Sequence, residues 1–180
     1  MKVNLFFNHY ESDSRQHEID MCMKKNYQVF DRMIVVKGRP TFNQLFKLSE
    51  KFPDDINVFC NSDIYFKEIE SLRGIKENEC YALTRWDQKG ERLTFFNRRD
   101  SQDSWIFKGA IKPMNANFTA GMWGCDNRLA YEIMRVGYKI TNPSLSIITV
   151  HLHEVDARNQ ERTPQNTVPQ PYYLVDPCAL

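Results

Sequence analysis

No stretch of this chain stays apolar for anything near the roughly eighteen residues that a membrane-spanning helix needs. The first residues, Met1-Lys2-Val3-Asn4-Leu5-Phe6-Phe7, turn polar too soon for a secretory leader, so a cytoplasmic protein is the expectation. Excess charge of one sign is also missing. The 24 Lys and Arg stand against 23 Asp and Glu, and a net charge of +1 argues for neither a nucleic-acid partner nor an anionic membrane. Cysteine is scarce, odd in number and scattered: Cys22, Cys60, Cys80, Cys125 and Cys178 form no Cys-x-x-Cys pair. That argues against a disulfide framework and against a structural zinc site. Finally, the first apolar run is followed by Asn8-His9-Tyr10-Glu11 and not by a glycine-rich turn. A P-loop or a dinucleotide-binding turn needs those glycines for close approach of backbone to phosphate. A nucleotidyltransferase would need a basic, glycine-rich loop at the same place.

What is present is enough for one domain with a real core: 180 residues, 42% of them hydrophobic. Residues 2–7 predict a first strand. Residues 13–25 carry Ile19, Cys22 and Met23 at helical spacing, and Asp13 with Gln16 has the form of a capping box. A second strand is expected over 32–36, ended by Gly38-Arg39-Pro40. Thr41 and Gln44 then form a Thr-x-x-Gln box ahead of a helix with Phe42, Leu45, Phe46 and Leu48 on its core side. A third strand follows over 56–60. Strand, helix, strand, helix, strand in this space predicts a parallel βαβαβ unit. Further strands are expected over 80–86, 104–107, 138–140 and 147–151. The polar, basic stretch 88–100 is expected as a loop. A helix is expected over 126–136, with Gly137 as its C-terminal stop. From residue 154 the chain is polar and carries Pro164, Pro169, Pro171 and Pro177, an extended tail that wraps the domain or docks elsewhere.

Three polar sites end or follow apolar runs. Asn61-Ser62-Asp63 puts a carboxylate at a strand's C-terminal end, where open α/β sheets bind ligands. A carboxylate there can hold a divalent cation, and the cation a diphosphate. Asp126 opens a helix, and His151-Leu152-His153 ends the last strand. On a parallel sheet these ends converge on one rim, where a carboxylate and an imidazole are reasonable ligands for Mn²⁺ or Mg²⁺. Each has a plainer explanation. Asn61 and Asp63 turn chains well, Asp126 suits a helix cap, and one histidine of the pair can lie in the core. The arginines around 85–99 suit a solvated face, and Phe6, Phe42, Phe59, Tyr65 and Phe66 suit a core.

The order of these pieces resembles that of the GT-A-fold glycosyltransferases, which transfer a sugar from a nucleotide-diphosphate donor. Asn61-Ser62-Asp63 is similar to their Asp-x-Asp motif, with Asn in place of the first acid. The run from Gly124-Cys125-Asp126 through Leu129-Ala130 to Arg135-Val136-Gly137-Tyr138 resembles the helix of inverting, family-2-like members. Cys125 stands where the first acid of an acidic pair is usual. Val150-His151-Leu152-His153-Glu154 resembles their late strand. The resemblance spans residues 2–155 and implies an α/β fold with a mostly parallel, Rossmann-like central sheet flanked by helices. The catalytic domain would be residues 1–155, a minimal one of the bacterial or large-virus kind, and 156–180 a Pro-rich tail. It implies that Phe6, Asn8, Tyr10 and Arg39 hold the nucleoside, with Asn61 and Ser62 beside them. Asp63 with His153 or His151 would bind Mn²⁺ or Mg²⁺. Asp126 would be the general base, and Asp103 the rival base or a ligand for sugar hydroxyls. Trp86, Trp105 and Trp123 are candidates to stack on sugar rings. The donor would be a UDP-sugar foremost, and the acceptor a glycan or another hydroxyl compound. Two alternatives stay open: a non-catalytic nucleotide-sugar or carbohydrate-binding domain, favoured by Asn61 and Cys125, and a metal-dependent hydrolase.

Overall fold

A computed structural model describes residues 1–152 and 161–180. The chain opens with β1 (Val3–His9), α1 (Gln16–Val29), β2 (Arg32–Lys37), α2 (Phe42–Ser49) and β3 (Ile56–Cys60). β1 pairs in parallel with β2 on one side and β3 on the other, so the expected βαβαβ unit forms. β1 is apolar on both faces because both are covered. Successive side chains point to opposite sides. Leu5 and Val58 enter a core that also holds Ile19 and Cys22 of α1, and Phe6 and Phe59 enter one with Phe42 and Phe46 of α2. Thr41 and Gln44 cap α2 reciprocally, as read from the sequence. At α1 the expected box is shifted: Arg15 is the N-cap residue, and Gln16 reaches back to the Ser12 amide at 3.1 Å.

The rest departs from expectation. After β4 (Ile64–Phe66) and β5 (Glu79–Leu83) come β6 (Trp86–Lys89) and β7 (Arg92–Phe95), then β8 (Ser104–Lys108). α3 (Cys125–Arg135), β9 (Lys139–Thr141) and β10 (Thr149–Leu152) follow. The first sheet has the order β2-β1-β3-β8-β5-β9, and a second has β4-β10-β6-β7. β8 is antiparallel to both β3 and β5, while β9 is parallel to β5. In the second sheet β10 is antiparallel to β4 and parallel to β6, and β6 is antiparallel to β7. The fold is therefore mixed α/β with two mixed sheets and, among the described residues, three α-helices. It is not the mostly parallel, Rossmann-like (GT-A-like) sheet flanked by helices.

The physical reason lies between β5 and β8. A parallel neighbour needs a long crossover, usually a helix. Here the chain instead makes a β6–β7 hairpin whose Gly90 takes a positive φ of 58° at the turn, and returns. The stretch expected as a loop is this hairpin and its exit. Residues 161–180 lie on the body: the Val168 amide donates to the Trp123 carbonyl at 2.8 Å, and the Cys178 amide to that of Asn142 at 2.8 Å. No described helix is long and apolar enough to cross a membrane.

Candidate functional site

The C-terminal ends of β1 and β3 open into a cleft of about 390 Å³. Asn8, Tyr10, Arg39, Asn61, Ser62, Asp63, Asp103, Trp105 and His151 line it, with Arg15 and Arg85. Ser62 Oγ donates to the Asn8 carbonyl at 2.6 Å and ties the two strand ends together. The Asn8 amide donates to the Val36 and Gly38 carbonyls and so sets the turn that carries Arg39. The Arg39 guanidinium lies 5.1 Å from the centre of the Tyr10 ring, a cation–π pair at the mouth.

Asp63, Asp87 and His151 meet because of the second sheet. The β4–β10 register sets His151 opposite Ile64, beside Asp63, and the β10–β6 register sets it next to Asp87. His151 Nε2 is 3.2 Å from Asp63 Oδ2, and Nδ1 is 3.0 Å from Asp87 Oδ1. Burial would lower the imidazole's pKa. Hydrogen bonds to Asp63 and Asp87 outweigh burial and the positive field of Arg85, and raise it to about 9. Burial would likewise raise the Asp63 carboxyl, yet His151 and Arg15 hold it well below the usual carboxylate range. Asp87 is drawn down to about 2, against its own burial, by His151 and Arg85.

The charges form one alternating chain. Glu18 Oε2 accepts from Arg15 Nε at 2.6 Å, and Arg15 Nη1 lies 2.9 Å from Asp63 Oδ2. Beyond His151 and Asp87, Arg85 bridges Asp87 at 2.8 Å and Asp103 at 3.0 Å. Asn61 Nδ2 ends the chain by donating to Asp103 Oδ1 at 2.8 Å. This explains Asn61: an aspartate there would set one carboxylate against another. Cys125 fills a parallel role, its thiol 3.2 Å from Asp126 Oδ1 as donor. Burial pushes that thiol's pKa up, so it stays protonated. Each residue that departs from the acidic pattern thus donates a hydrogen bond to an acid.

Two expected site residues lie off the cleft wall. Phe6 is 1% exposed and stacks on Phe59 at 5.0 Å between ring centres, so it packs the core under the cleft and is not placed to touch a nucleoside. Phe6 and Asn8, two apart, share one face of β1; Phe6 sits further back along the strand among Phe42 and Phe46 of α2, while Asn8 lies at the C-terminal rim. The wall reaches towards α3 only at Ala120 and Gly121; Asp126 stands further on, in that helix's first turn, where Gly124 is the N-cap residue. His153 lies outside the described residues. Of the tryptophans, Trp105 lines the cleft, Trp86 donates to the Ser144 carbonyl at 3.0 Å, and Trp123 is 38% exposed. Sequence reasoning missed Arg15, Glu18, Arg85 and Asp87 as parts of one site. Arg85 and Asp87, two apart at a strand's start and so on one side, were the available signal.

The donor chemistry suits a divalent cation only in part. Asp63 Oδ2 and His151 Nε2, 3.2 Å apart, have about the spacing of neighbouring ligands in an octahedron with bonds of roughly 2.1 Å. Nε2 could ligate only after the metal displaces its proton, and Asp87 on the far nitrogen would then fix the tautomer that offers Nε2. Among the described residues no group of three His, Cys, Asp or Glu side chains is set to hold a metal ion. No protein-family model matches the chain, and no curated protein matches its sequence.

Proposed function

We propose that this protein is a glycosyltransferase that moves a sugar from a nucleoside-diphosphate donor to an acceptor hydroxyl with inversion. The observation that supports the reading most is the meeting of Asp63 and His151 in one cleft with the Tyr10–Arg39 pair and the Asp103 and Trp105 side chains. Tyr10, Arg39 and Asn8 would hold the nucleoside, and Asp63 and His151 a Mn²⁺ or Mg²⁺ ion with Asp87 behind. That ion, when bound, supplies Lewis-acid neutralisation of charge on the leaving diphosphate. The acceptor oxygen attacks the anomeric carbon through an oxocarbenium-like transition state as the bond to the diphosphate breaks. Asp126 takes the acceptor's proton. Asp103 has both oxygens engaged, by Asn61 and Arg85, and is suited to steady the wall and orient sugar hydroxyls.

A second reading, a nucleotide-sugar-binding domain without turnover, draws on two facts: Asp103 is doubly bonded, and Asp126 is off the cleft wall. Thermal shifts with UDP-, GDP- and dTDP-sugars, with and without Mn²⁺, test both readings, since a ligand of the native state raises the melting temperature. Transfer should then appear with the stabilising donor and vanish in EDTA and in Asp63→Ala. Asp126→Asn should lose turnover and keep donor binding. Binding with no transfer to any acceptor supports the second reading. Release of sugar to water alone supports a hydrolase.

A further inference from the structure

We propose that Arg15 is a ligand of the donor's diphosphate, and that its guanidinium spans the two side-chain atoms that would hold the cation. The inference rests on the glycosyltransferase reading above. Arg15 Nη1 lies 2.9 Å from Asp63 Oδ2, and Nη2 lies 3.3 Å from His151 Nε2. Those two atoms are the pair whose spacing suits a divalent ion, so one guanidinium spans both.

Arg15 precedes α1 and lines the cleft with Ser12 and Ser14. Its Nε is anchored on the buried Glu18 one turn on, at 2.6 Å, which leaves the two terminal nitrogens as the part that faces the cleft. A guanidinium is charged at all relevant pH and presents a planar fork that matches phosphate oxygens in pairs. It cannot share a carboxylate oxygen with a divalent cation without strong like-charge repulsion. A diphosphate offers the displaced fork a new anion. Cation and diphosphate therefore bind as a pair, each raising the other's affinity by the same factor.

The experiment is calorimetric titration of metal-free protein with Mn²⁺, with UDP, GDP or dTDP, and with each nucleotide at saturating Mn²⁺. The wild type should bind Mn²⁺ weakly alone and at least tenfold more tightly with its nucleotide. In Arg15→Gln, Mn²⁺ alone should bind at least tenfold more tightly, the nucleotide at least tenfold more weakly, and the coupling should disappear. Arg15→Lys keeps a charge beside Glu18 and serves if the glutamine variant does not fold. It should weaken the nucleotide, because it lacks the fork, and leave the affinity for Mn²⁺ alone near the wild-type value. A nucleotide that binds both variants as it binds the wild type overturns the role of Arg15 and leaves the transferase reading standing. A wild type that binds no nucleotide with or without Mn²⁺ overturns the transferase reading itself.

Discussion

Asp87 and His151 stand side by side on parallel strands, with Oδ1 of one 3.0 Å from Nδ1 of the other. A carboxylate behind an imidazole fixes its orientation, and losing such a partner typically costs about 10–100-fold in metal affinity. On the proposed metal role of His151, Asp87→Asn should weaken Mn²⁺ binding by that order in calorimetry while the far-ultraviolet circular dichroism stays unchanged. Equal affinity in the two proteins would count against His151 as a ligand of the proposed ion.

Asn61 and Asp103 give the second prediction. The side chain of Asp103 is 6% exposed and is bonded to Asn61 and to Arg85. A hydrogen bond to a charged group contributes about 1.5–3 kcal/mol. Asn61→Asp should replace that bond by repulsion and destabilise the protein by at least about 1.5 kcal/mol in urea unfolding. Asp103→Ala should cost more, about 3–5 kcal/mol, because it leaves the buried Arg85 with Asp87 as its remaining carboxylate. A neutral Asn61→Asp would mean that the pair carries no energy.

Stability should also depend on pH from both sides in metal-free buffer. His151 has a folded pKa of about 9 against an ordinary 6.5. Its contribution is whole below about 6.5 and is lost as pH rises through about 9. Asp87 has a folded pKa of about 2 against 3.8, so its contribution is present above about 3.8 and is lost as pH falls through about 2. Melting temperatures measured in EDTA should fall on the alkaline side between pH 7 and 9, and His151→Gln should flatten that limb. An unchanged alkaline limb in that variant would assign the loss to another group.

The tail can be loosened at a single residue. Gly124 has a φ of 73°, and a Cβ on it would run into the Tyr172 ring. Around it the Trp123 amide donates to the Asn166 carbonyl at 2.8 Å, and the Tyr173 amide to that of Asn127 at 2.9 Å. Gly124→Ala should cost about 1–2 kcal/mol for the left-handed backbone alone. It should also make residues 161–180 the first to be cut by protease. Cleavage at the wild-type rate would show that the tail does not depend on this contact.

Much of this protein was legible locally. Thr41 and Gln44 announce α2, the apolar runs announce β1, β3 and β8, and the polar stops after β1 and β3 mark the rim that carries Asn8, Asn61 and Asp63. These depend on a few adjacent residues, through capping, alternation and the breaking power of Gly and Pro, and chain order preserves them. Strand partners were another matter. Whether β8 runs with or against β3, and whether His151 lands beside Asp87, depends on pairing between residues far apart in the chain. Many such pairings bury similar apolar area, so composition cannot choose among them. The sequence by itself determined where β1 and β3 stop, and that polar residues, Asn8 and Asn61-Ser62-Asp63, follow or close them. The second sheet, and the Arg15 and Arg85 cations that it and α1 bring to those acids, were decided by tertiary structure. Desolvation makes the pairing of charges a property of the packed cleft and not of any segment within it.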